Sequence, residues 1–152
     1  MPRFRFRLDP VLAHRRRLED EQQLVFATAM ERVVEAESLR NDYVARREAI
    51  GERIKHEHVA MSVDELRAAY AHCEYLDRAI ETQKRVIAEA RRIADGERAV
   101  LLEKTKDKKV LETLREHRRI AFELENASLE QREIDEINAR RFDRATFRET
   151  TS

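Results

Sequence analysis

Apolar residues recur every three or four positions along most of the chain, the spacing of a helix that buries one face. The second half is the most regular. Leu66, Cys73, Ile80, Ile87, Ala94 and Leu101 stand seven apart, and Ala69, Leu76 and Ala90 form a companion line that Gln83 and Glu97 interrupt. Two such lines make the seam of a coiled coil. The seam lapses in the charged stretch 103–109, revives at Leu111, Leu114, Ala121 and Leu124, and ends with Ile134 and Ile137. In the first half Val11, Leu18 and Val25 step by seven, and Ala29 and Val33 then step by four, a stutter expected to unwind a supercoil locally. Ala36, Leu39, Tyr43, Ile50 and Ile54 resume the spacing.

Punctuation divides this pattern. Residues 3–8 alternate as Arg-Phe-Arg-Phe-Arg-Leu, which predicts an extended arm over 1–9 with Phe4, Phe6 and Leu8 on one side; the alternative is that they staple the first turn of the helix behind them. Asp9 is positioned to cap that helix and Pro10 to open it, so the first helix is placed at 10–57. Ser62 and Glu65 form a capping box after a patternless stretch, giving a bend at 57–62 and a second helix over 63–142, with 143–152 as a frayed tail. The expected fold is all-α: two long helices in one domain, paired as an antiparallel coiled coil, with residue i near residue 120 − i.

Composition agrees with a narrow seam. Charged residues make up 41% of the 152, with two glycines, two prolines and no tryptophan. Acidic and basic residues balance at 31 each, so a uniform attraction to nucleic acid or to an anionic membrane is not expected. The charges are unevenly placed. Residues 3–17 hold six arginines against Asp9, and residues 19–37 hold six acids against Arg32. The antiparallel register sets that acidic stretch against the basic segment 83–101. It also gathers Arg15, Arg16 and Arg17 with Lys104, Lys106, Lys108 and Lys109 as a basic tip, and leaves the second helix without a partner from about residue 113. An apolar overhang there calls for a binding partner.

Little else suggests chemistry. There is no glycine-rich phosphate loop. His56 and His58 lie two apart and diverge on a helix, and Cys73 falls on the seam as a buried thiol, so no metal, cofactor or catalytic residue is expected and the chain reads as non-enzymatic. With one cysteine no disulfide can form within the chain. No apolar run is long enough to span a membrane, and the positive N-terminus has no hydrophobic segment of a secretory signal. A nucleic-acid-associated scaffold would use the same basic tip, but the chain has no aromatic stacking residues along a basic groove; a self-assembling filament is the third possibility.

Several segments resemble the FliJ family of flagellar export proteins: Phe6-Arg7-Leu8; the run from Leu66 and Tyr70 to Leu76, Ala79, Ile80 and Gln83; the stretch Lys106 to Leu114; and the ending Glu130 to Glu136. The resemblance covers about 4–142. It implies a cytoplasmic component of the type III export apparatus, peripheral to the inner membrane and without insertion into it, whose coiled coil resembles the stalk of a rotary ATPase. It implies three partners: the export ATPase hexamer, the cytoplasmic linker of the export-gate membrane protein, and export chaperones that it escorts. Stalk proteins of injectisome systems share the architecture. The family's gate-binding stripe falls on His72, Leu76, Ala79 and Gln83, with His72 replacing a large apolar residue. For the ATPase ring the basic tip is the candidate, through Arg15, Arg16, Arg17, Lys106, Lys108 and Lys109, with Phe4 and Phe6 as apolar anchors.

Overall fold

A computed structural model of the protein describes residues 2–151. It holds two helices, α1 (Asp9–Glu57) and α2 (Val63–Thr150), and no strand among the described residues. The two run antiparallel and pack along a common seam, which is the all-α coiled-coil hairpin expected from the spacing.

The ends follow local chemistry. The Asp9 amide donates to the Phe6 carbonyl at 3.1 Å, and the Leu12 amide donates to the Leu8 carbonyl at 2.9 Å, so Leu8 supplies the first helical acceptor. Asp9, expected as the cap, instead accepts a hydrogen bond from Arg115 Nε at 3.1 Å. At the bend the capping box is present: the Glu65 amide donates to Ser62 Oγ at 3.1 Å, and the Ser62 amide donates to Glu65 Oε2 at 3.3 Å. Five residues, 58–62, turn the chain.

On α2 the expected positions from Leu66 through Leu101 are buried or half-buried, and so are Gln83 and Glu97, expected as interruptions, and Ala79 beside the line. Leu76 and Ile87 are 1% and 2% exposed. On α1 the expectation needs correction. Val11, Val25 and Leu39 are exposed. The seam instead runs 12, 15, 19, 22, 26, 29, 33, 36, 40, 43, 47, 50 and 54, an unbroken three-four spacing with no stutter, and every one of these residues is buried or half-buried. The line was hidden because Arg15, Glu19, Gln22, Arg40 and Arg47 occupy five of its positions.

Arg15, Gln22 and Arg47 are held across the seam, and Gln83 of α2 reaches back to α1. Gln22 Nε2 donates to Glu97 Oε2 at 2.5 Å and to the Glu97 carbonyl at 3.1 Å. Gln83 Nε2 donates to the Ala36 carbonyl at 3.0 Å. Arg47 reaches Asp77 at 3.0 Å, and Arg91 pairs with Glu37. The pairs 22 with 97 and 36 with 83 both sum to 119, beside the expected 120. A polar residue at a seam position fixes register because only one alignment satisfies it.

The chain divides into two compact units. One comprises Met1–Arg16 and Lys106–Ser152, the other Arg17–Thr105. In the first, the arm lies against α2: Phe6 is buried, and Phe4 meets Phe122 with ring centroids 5.7 Å apart. The seam closes there with Leu12 and Leu111. Leu124, Ile134 and Ile137, expected to extend it, are exposed. The frayed tail is also revised: α2 continues to Thr150. Threonine hydroxyls at 146, 150 and 151 donate to carbonyls three and four residues back, a local bond open to this side chain on a helix. In the second unit the core centres on Ala29, Val33 and Ala94, with Ala90 against them.

Candidate functional site

Within the first unit, basic residues of α1 lie across from residues 107–112 of α2. Arg15 is half-buried and donates through Nη1 to the Asp107 carbonyl at 2.8 Å. Arg16 Nη2 stands 3.4 Å from Glu112 Oε1. Lys108 is half-buried, while Lys106 and Lys109 are exposed. The basic character is thus partly answered from within by Glu112 and by a backbone carbonyl. Lys109 makes no hydrogen bond or ion pair among the described residues, so its charge is open to solvent. Arg17 is exposed and belongs to the second unit.

Phe4 and Phe6, expected as anchors for a partner, are occupied within the chain. Phe6 is 4% exposed, with the Arg118 guanidinium 5.8 Å from its ring centre. Phe4 has Phe122 on one side and the Arg115 guanidinium 5.9 Å from its ring centre. Cation–π contacts of this kind hold the arm down while leaving the charged heads in water.

The stripe His72, Leu76, Ala79 and Gln83 lies entirely in the second unit, and its members divide. Leu76 and Gln83 are buried seam residues, one filling the seam and the other bonded to Ala36. His72 is exposed, with its ring centre 6.1 Å from that of Tyr75, and Ala79 is half-buried at the edge. The four share a helix face, as their spacing requires, but in the folded hairpin only the His72 and Ala79 side is open to a partner.

A feature absent from the sequence expectations lies one residue off the seam. An open groove of about 490 Å³ runs between the helices, floored by Ala29, Ala36 and Ala90 and walled by Val86 and Ile93. Ala79, Val86, Ile93 and Val100 stand seven apart, a signal present in the sequence but eclipsed by the stronger line beside it. At the rim, the Arg92 fork on Glu89 holds that carboxyl below the usual carboxylate range.

No group of acidic, histidine or cysteine side chains suited to a metal occurs among the described residues, and Cys73 is buried. Among the same residues, no helix is long and apolar enough to cross a membrane. No curated protein and no solved structure gives a match. The model of one family, described as Flagellar FliJ protein, matches residues 4–146. With that match over nearly its whole length, and with the paired helices that the resemblance implies, the chain belongs to the flagellar FliJ family.

Proposed function

We propose that the chain is a non-catalytic adaptor of flagellar protein export, a stalk that meets the export ATPase ring through its first unit and the cytoplasmic linker of the export gate through its second. Escort of export chaperones belongs to the same reading, as does a cytoplasmic location at the inner-membrane export apparatus. The observation that carries it is the basic face around Arg15, Arg16 and Lys109 in the first unit, where Arg15 and Arg16 reach across to α2. A mainly basic surface suits acidic loops lining a ring, where charge governs the rate of encounter. Phe4 and Phe6 take a supporting part in this reading: they pin the arm, with its Arg3, Arg5 and Arg7, beside that surface.

For the gate, the support is the open edge of the stripe, His72 and Ala79, with Leu76 and Gln83 holding the hairpin beneath it. The test uses both ends. Lys109→Glu with Lys106→Glu is expected to weaken stimulation of the export ATPase, most at low salt, where the Debye length is greatest. His72→Asp with Ala79→Asp is expected to abolish capture by the gate's cytoplasmic linker with the helical signal intact. Unchanged stimulation and unchanged capture in these variants reject the respective contacts.

A further inference from the structure

Both helices carry a second line beside the seam, apolar except for Arg32, whose large side chains the hairpin leaves exposed. On α1, Val25, Arg32 and Leu39 step by seven, each one residue ahead of a seam position. On α2, Ala79, Val86, Ile93 and Val100 do the same. In an antiparallel pair these equivalent positions fall on one side of both helices, and the groove joins them, with residues of α1 and α2 on its opposite walls. Val25, Leu39, Val86 and Ile93 are all more than 40% exposed.

The floor is made of small residues. Alanine at 29, 36 and 90 leaves the space that leucine fills in an ordinary seam, so the cleft stays open. Its lining on α2 extends from Thr82 to Ile93, roughly 16 Å at ~1.5 Å per residue, or about three helical turns. Neither wall is a strand edge, so an extended peptide finds no ladder of backbone groups there. A helix laid between two helices meets side-chain ridges on both.

Charge selects the occupant. Arg32 stands on the α1 wall and Arg85 on the α2 wall, and neither makes a hydrogen bond or ion pair among the described residues. Glu89, the acid at the rim, is already engaged by Arg92 at 2.6 and 2.9 Å along its own helix. Among the residues that line the groove, the charge left open is therefore positive on both sides. We infer that this groove takes an amphipathic helix of another protein, about three turns long, with apolar residues at three-four spacing and carboxylates on both flanks of that stripe. A second copy of this chain is the competing occupant, since its residues 123–136 are acidic and carry exposed Leu124 and Ile134. There, however, Glu123 is engaged by Arg119, Glu136 by Arg140 and Asp135 by Gln131, which leaves fewer carboxylates to reach the two arginines.

The probe is a fluorescent synthetic amphipathic peptide of about four turns, leucine along one stripe and glutamate on both flanks, with a twin that carries lysine in place of glutamate. Binding to the full chain is followed by anisotropy. The acidic peptide is expected to bind about fivefold to tenfold tighter than the lysine twin, as two exposed ion pairs allow. Arg32→Glu with Arg85→Glu reverses that preference. Val86→Glu, at an exposed position, weakens both peptides about tenfold while the helical signal is unchanged. No binding of the acidic peptide, equal binding of the two, or binding indifferent to these substitutions overturns the inference. So does concentration-dependent self-association, seen by sedimentation, that Val86→Glu abolishes, because the groove then belongs to a second copy.

Discussion

Leu76→Ala separates stability from recognition. Leu76 is 1% exposed and lies in the seam opposite α1, so truncation removes three buried carbon atoms from a layer only two helices wide. Leucine-to-alanine changes in protein cores cost roughly 2–5 kcal/mol, the spread reflecting how far each site collapses around the gap. A two-helix seam has solvent on both sides and relaxes more easily than a globular core, which sets the expected cost near the lower end, about 2–3 kcal/mol. Against a total of roughly 5–15 kcal/mol, that is a large share. For a chain of this length each kcal/mol moves the melting temperature by roughly 2–4 °C, giving a fall of about 4–12 °C. The assay is helical ellipticity on heating, run beside His72→Ala. That exposed neighbour should melt within about 2 °C of the parent. A Leu76→Ala protein that melts with the parent, yet no longer binds a gate fragment, would mean that Leu76 faces the partner and not α1.

Three further outcomes follow from the seam and its surface. Gly96 lies inside α2 with nothing near the position of an added Cβ, so Gly96→Ala should stabilise by about 0.5–1 kcal/mol in urea unfolding; a loss would place a neighbour there. Gln22→Leu should cost about 1–3 kcal/mol because it strips the half-buried Glu97 of its donor, and adding Glu97→Leu should recover most of it. A four-protein cycle with coupling below about 0.5 kcal/mol would deny that the pair acts as a unit. The Arg119 fork lowers Glu116 and the Arg92 fork lowers Glu89, so both carboxyls bind protons less readily folded than unfolded. Their contribution is present above the ordinary carboxylate range and is lost as pH falls through the lowered values. Glu116→Gln should flatten the acid limb of a melting-temperature profile, and an identical limb in both proteins would assign it elsewhere.

Particular residues show what the sequence could disclose. The α2 seam was legible because apolar residues fill nearly every position, and Gln83 and Glu97 looked like interruptions while serving as register pins. On α1 the same device concealed the line: with Arg15, Glu19 and Gln22 on the seam, Val11 and Val25 offered a cleaner repeat, and the stutter arose from joining two different faces. Hydrophobicity identifies a seam only where partners across it do not satisfy polar groups, and such partnership is a property of two distant segments. The bend was secure because Ser62 and Glu65 act locally. The arm was ambiguous because Phe4 and Phe6 are settled by Phe122, Arg115 and Arg118, more than a hundred residues away.

Beyond Asn126 every described residue of α2 is exposed, and the helix still runs to Thr150. A peptide of that length alone would have to form its own first turn, the improbable step in helix growth. Here the preceding turns are already wound, so each residue added needs only elongation, helped by ladders such as Glu136 with Arg140. The end of α2 therefore behaves like a zipper closed at one side, whose ordered length shortens residue by residue on warming.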